Sequence, residues 1–255
     1  MRTHDATVLE QFDSQARAYL TSAVHSAGTD LERAKRLVEA ALPPRAAIVD
    51  VGCGAGHLAF ALAPHVARVA AVDPSPAMRA TVEAAARERG LANVATYAAN
   101  AAALPFAVGT FCVAASRYSA HHWRDVPAAL REMRRVLKPG GFLLMIDALG
   151  DESPLVDTHL QALELLRDPS HVRDLAAPEW RTALERAGFA IVEESVWPTR
   201  IEFAAWIERM RTPPESVAAI RRLESGAPRE VSEALALEPD GSFTLRTGLF
   251  WARGS

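Results

Sequence analysis

An acid stands near the end of an apolar run and is followed at once by alternating glycines, in Ile48-Val49-Asp50-Val51-Gly52-Cys53-Gly54-Ala55-Gly56-His57. Glycine has no Cβ, so it adopts positive φ and lets a ligand lie against the main chain, which suits a cofactor held over the carboxyl end of a strand. A second apolar run, Val69-Ala70-Ala71-Val72, ends in Asp73, seventeen residues after Gly56. A carboxylate there can take two charge-assisted hydrogen bonds from a ribose diol. Further on, Ser116-Arg117-Tyr118-Ser119-Ala120-His121-His122-Trp123 sets two histidines side by side. Imidazole titrates near neutrality and can act as general base toward a hydroxyl, an amine or an acidic carbon.

The glycine spacing separates two cofactor classes. A dinucleotide fingerprint has its third glycine three positions after the second, and His57 occupies that position, leaving G-x-G-x-G instead. With Asp50 before it and Asp73 after it, this segment resembles the class I S-adenosylmethionine-dependent methyltransferases. The resemblance continues through Leu104-Pro105-Phe106 and Arg135-Val136-Leu137-Lys138-Pro139-Gly140-Gly141, and covers roughly residues 45 to 147. The Leu-Pro-Phe and Arg-Val-Leu-Lys-Pro-Gly-Gly segments look most like the broad group that includes the ubiquinone and menaquinone biosynthesis methyltransferases.

The resemblance implies a set of roles. Backbone at Gly52, Cys53, Gly54 and Gly56 approaches the methionine moiety of S-adenosyl-L-methionine, Asp50 attracts its ammonium, and Asp73 takes the ribose hydroxyls. Met78, Asn100 and Ala101 border the adenine, and Ser116 and Tyr19 lie near the cofactor. Asn100 stands where the family usually has an acid, but its amide can accept from an amine and donate to a ring nitrogen. Cys112 replaces the usual aspartate after Phe111, a change that bears on strand packing. His121 and His122 are the candidate bases, with His25 and Asp147 behind them. No metal site is expected, because no third ligand stands at a telling spacing from the histidine pair.

The elements that must position these residues alternate between strand and helix, as in a parallel, doubly wound sheet with right-handed crossovers. Apolar residues from Val8 to Val24 recur at helical spacing, and Thr29 with Glu32 forms a capping-box pattern for a helix over 31–42. Ser75-Pro76 starts a helix that runs to Arg89. Strands are expected at 93–98, 110–116 and 142–146, with a helix over 125–137. Later strands are expected at about 189–196 and 243–251. The fold class implied is a Rossmann-like, mostly parallel seven-stranded sheet with an antiparallel last strand, an N-terminal helical extension and a helical lid insertion. The chain reads as a single domain over 1–255. It divides into an N-terminal helical cap (1–44), the cofactor-binding core (45–147), helices and a sixth strand (148–199), a helical lid (200–240) and the last strand (241–255). In the lid, Trp197, Phe203, Trp206, Ile207 and Met210 offer apolar surface that either lines a pocket or, the stronger expectation, packs the lid onto the sheet.

Composition narrows the function. The 255 residues are 49% hydrophobic, enough for a sizeable core, and the net charge of −3 spreads Lys and Arg among Asp and Glu, which argues against a nucleic-acid substrate. Two cysteines without a C-x-x-C partner and no apolar run of the ~20 residues that span a bilayer point to a cytoplasmic protein without stable membrane insertion. The expected activity is methyl transfer to oxygen, nitrogen or carbon of a small-molecule acceptor. A non-catalytic S-adenosylmethionine-binding module is the first alternative and a nicotinamide-dependent oxidoreductase the second. Neither the acceptor nor the oligomeric state is legible.

Overall fold

The computed structural model describes residues 2–13, 15, 20, 28–43 and 45–254. Tyr19 and His25 lie outside the described residues. The elements, in chain order, are α1 (His4–Asp13), α2 (Thr29–Ala41), β1 (Ala47–Val51), α3 (His57–Leu62), β2 (Arg68–Val72), α4 (Pro76–Glu88), β3 (Val94–Tyr97), β4 (Phe111–Arg117) and α5 (Val126–Val136). They continue as β5 (Leu137–Leu149), α6 (Pro154–Arg167), α7 (Ala177–Arg186), β6 (Phe189–Ile201), α8 (Phe203–Met210), α9 (Pro214–Ser225), α10 (Arg229–Ala234) and β7 (Phe243–Gly254).

The seven strands form one sheet in the order β3-β2-β1-β4-β5-β7-β6. The first five run parallel, whereas β7 is antiparallel to both β5 and β6. The central strands are apolar on both faces because helices cover both. Ile48, Val69 and Val113 face a cluster with α2, α3 and α4, while their neighbours Val49, Ala70 and Ala114 face a cluster with α5 and α7. Between β1 and β4 the strand order reverses direction, which leaves a crevice at their carboxyl ends.

Two helix starts in the core follow local chemistry and one does not. Ser75 Oγ accepts from the Met78 amide and Pro76 occupies the first turn of α4, while Asp125 caps α5 by accepting from the Ala128 amide. The Thr29–Glu32 capping box does not form. Gly28 is the N-cap, and the first-turn acids are drawn elsewhere, Asp30 to Arg117 and Glu32 to Lys35.

The segment between β6 and β7 holds α8, α9 and α10. Phe203, Trp206, Ile220 and Val231 pack with Val156, Leu160 and Leu163 of α6 and with Phe243 and Leu245 of β7, forming a third apolar cluster. Its aromatic residues are thus spent on packing.

Candidate active site

The carboxyl ends of β1, β2 and β4 open into a cavity of about 790 Å³, within the ~300–1,000 Å³ usual for small-molecule sites. One side of it is the glycine turn. The Gly52 and Cys53 amides both donate to the Val72 carbonyl, at 2.9 and 3.0 Å, which pins the turn to the end of β2. Gly54 has φ +49°, and a Cβ there would meet nothing within 4 Å, so the bare main chain faces the cavity it lines. Gly56 has a different task. A Cβ on it would come 2.8 Å from the Phe60 ring and 3.0 Å from Val82, so its bareness lets α3 and α4 pack beneath the turn, and it does not line the cavity.

Two carboxylates flank the turn. Asp73 Oδ2 accepts from the Gly54 amide and Oδ1 from the Ser75 amide, each at 2.9 Å, which fixes the carboxylate at the cavity wall. Burial raises its pKa despite those bonds. Asp50 is 1% exposed, yet neither of its oxygens has a hydrogen-bond partner. Burial pushes its pKa up to about 7, against the pull of the nearby Ala59 amide, which falls short of an ordinary hydrogen bond, and of Arg117. A buried, unpartnered acid that borders a cavity fits a cationic ligand group, because pairing removes its desolvation penalty. Met78, Asn100 and Ala101 also line the cavity, and the Asn100 side chain folds back to accept from the Ala102 amide at 3.1 Å. Ser116 is fully buried and does not line it, the wall passing instead to Arg117 and Tyr118. Tyr118 has φ +50°, a strained conformation for a bulky side chain of the sort that clusters at functional sites.

The adjacent histidines part company. Ala120–His122 forms one 3-10 turn. Asp147, at the end of β5, accepts from the Ala120 amide at 2.8 Å and from His121 Nδ1 at 2.6 Å. Burial alone would lower the His121 pKa, but the charge and hydrogen bond of Asp147 raise it to about 9. His122 is buried beside that imidazolium, and both effects push its pKa down to about 3. His122 lines the cavity and His121 does not. Paired groups driven apart in this way reveal their roles. His121 is the cation that organises the turn, and His122 is the neutral imidazole available to a ligand.

Contrary to the sequence expectation, His121 does have neighbours with metal-ligating atoms. His121, Asp147 and Asp174 place such atoms within 4.8 Å of one another, the one group of this kind among the described residues. His121 Nδ1 and Asp147 Oδ1 are 2.6 Å apart, the distance of a charge-assisted hydrogen bond. Burial pushes the Asp174 pKa up to about 8 against the pull of His121.

Two parts of the site hold residues that the sequence did not single out. One wall comes from α1, through His4, Asp5, Val8, Leu9 and Phe12. The other is the turn after α6, where Asp168 Oδ1 accepts from both the amide and the hydroxyl of Ser170, at 2.8 and 2.6 Å. Asp-Pro-Ser is a turn signal, but nothing local says that it meets His122, 48 residues away.

Residues 49–145 match a family model described as a methyltransferase domain. The Escherichia coli protein YafE is 44% identical over 193 residues, 76% of this chain and 93% of that protein. The methyltransferase YcgJ of Bacillus subtilis is 35% identical over 202 residues, 79% of each chain. The chain belongs to the class I S-adenosylmethionine-dependent methyltransferases. The methyltransferase also resembles the ubiquinone/menaquinone biosynthesis C-methyltransferase UbiE of Sinorhizobium fredii, at 30% identity over 210 residues, 78% of this chain and 79% of that one. The crystal structure of YcgJ superposes on it with a TM-score of 0.84 at 32% identity, covering 88% of this methyltransferase and 97% of YcgJ. Members of the family bind S-adenosylmethionine. No helix among the described residues of this methyltransferase is long and apolar enough to cross a membrane.

Proposed function

We propose that the chain transfers a methyl group from S-adenosyl-L-methionine to oxygen, nitrogen or carbon of a small-molecule acceptor. The observation that carries this reading is Asp50, a buried carboxylate without a partner on the wall of a cavity shared with the bare Gly54 main chain and with Asp73. When bound, the cofactor supplies a methyl group on a sulfonium, open to in-line displacement. Asp50 pairs with the ammonium of its amino acid end, Gly52, Cys53 and Gly54 give main-chain contact, and Asp73 keeps lone pairs for the ribose diol. Met78, Asn100 and Ala101 border the adenine. The cavity walls exclude water, and holding the acceptor on the methyl's far side supplies the main rate enhancement. His122 accepts a hydrogen bond from the acceptor and orients it; with a pKa of about 3 beside the His121 imidazolium it is too weak a base to hold the acceptor's proton. In this reading residues 1–44 act as a cap, and residues 200–240 as a lid on the carboxyl edge of the sheet. A donated bond from Gln11 Nε2 to the Met210 carbonyl, 3.1 Å, supports contact between the two. A cytoplasmic setting agrees with the two free cysteines, Cys53 and Cys112.

Calorimetry with S-adenosylmethionine, S-adenosylhomocysteine and NAD tests the cofactor. Micromolar binding of the first two and none of NAD is expected, and binding of NAD alone would overturn the reading. Methyl uptake from labelled cofactor by phenols, amines or quinone precursors then separates an enzyme from a non-catalytic binding module.

A further inference from the structure

The carbonyl of Ser170 is shared by two histidines from distant parts of the chain. His122 Nδ1 lies 3.1 Å from it and His4 Nε2, on α1, lies 3.0 Å from it. A carbonyl oxygen only accepts, so each of these ring nitrogens carries a hydrogen. A second contact fixes the His122 tautomer independently. Ser170 Oγ sits 3.2 Å from the same Nδ1 and gives its own hydrogen to Asp168, which leaves only lone pairs for the imidazole. His122 Nε2 is therefore the lone-pair nitrogen of a ring that lines the cavity. Phe12, two turns along α1 from His4, meets the His122 ring edge to face at 5.0 Å. The charged and titratable groups around this ring are His121 beside it, Asp147 on β5, Asp168 and His171 on the turn after α6, and His4 on α1.

We propose that Ser170, held by Asp168, is a positioning residue that fixes the His122 tautomer and, through His4, makes that orientation depend on the docking of α1. The helix that walls the cavity and the imidazole that offers its Nε2 lone pair to it are thereby set by one oxygen atom. The role of His122 toward an acceptor rests on the methyl-transfer reading; the hydrogen-bond relationship does not. Ser170 is fully buried and Asp168 is 2% exposed, so water does not compete for these bonds.

The test is imidazole nitrogen NMR on the full chain labelled with 15N-histidine, with His122 assigned by the signal lost in His122→Gln. The wild type is expected to give His122 as the Nδ1–H tautomer, neutral from pH 8 down to pH 5. Removing one donor with His4→Phe leaves the Ser170 carbonyl to His122 alone and is expected to shift the His122 nitrogen resonances. Asp168→Asn is expected to do the same through the turn, and if that buried change prevents folding, His4→Phe decides alone. An Nε2–H tautomer in the wild type, or a His122 signal unmoved in His4→Phe, would overturn the proposal. Repeating the spectra with S-adenosylhomocysteine keeps the two readings apart, because failure to bind it would sink the cofactor assignment while leaving the tautomer result standing.

Discussion

The rings of His121 and His122 lie 4.1 Å apart, centroid to centroid, and one is held protonated while the other is held neutral. Their effects on stability have opposite signs. His121, raised to about 9, contributes stability that is complete below its unfolded value of 6.5 and is lost as pH rises toward 9. His122, lowered to about 3, contributes stability that is complete above 6.5 and is lost as pH falls toward 3. Urea midpoints measured from pH 5 to 9 should therefore fall less steeply above pH 6.5 in His121→Gln than in wild type, and less steeply below it in His122→Gln. Each difference is on the order of 1 kcal/mol per pH unit. Parallel curves for all three proteins would refute the assignment.

Asp50 trades stability for binding. Its folded pKa of about 7 lies above the ordinary 3.8, so the ionised acid destabilises the unliganded fold as pH rises through 7. Asp50→Asn is expected to raise the melting temperature at pH 8 and to weaken S-adenosylhomocysteine binding at least tenfold. Wild-type affinity should rise between pH 6 and 8, and the variant's should not. Calorimetry across that range checks both.

Asp73 has two duties, ordering Gly54 and Ser75 and meeting the ribose. Asp73→Ala should weaken cofactor binding at least tenfold through lost hydrogen bonds. Unchanged calorimetric affinity would remove Asp73 from the ribose assignment.

Two glycines of one turn should respond differently to the same substitution. Gly54→Ala strains a positive φ, costing about 1 kcal/mol, and puts a methyl into the cavity, so binding falls far more than stability. Gly56→Ala drives a methyl against Phe60 and Val82, so the chief loss is in melting temperature. Thermal melts beside calorimetry separate the two.

The strands and the glycine turn were legible because their signals are local. Apolar runs bounded by turn residues gave β1, β2, β4 and the centre of β5. Strand β6 runs on to Ile201, past the Val196 expected, because Pro198 reads as a strand breaker and is tolerated on an edge strand. The reading of Asp50 and Asp73 as cavity-wall acids needed only their place at strand ends. What separates His121 from His122 lies 26 and 48 residues away, at Asp147 and Ser170, and adjacency in sequence carries no trace of it. The capping box failed for a local reason, since the helix starts one residue early, with Gly28 as its N-cap, and Glu32 pairs with Lys35.

The apolar cluster built by the segment between β6 and β7 has its own centre, in Trp206, Ile220 and Val231 against α6, apart from the two clusters that clad the sheet. A unit with a separate interior opens on its own free-energy scale. Backbone amides of α8 to α10 are thus placed to exchange with solvent through openings that leave β1, β4 and the glycine turn intact.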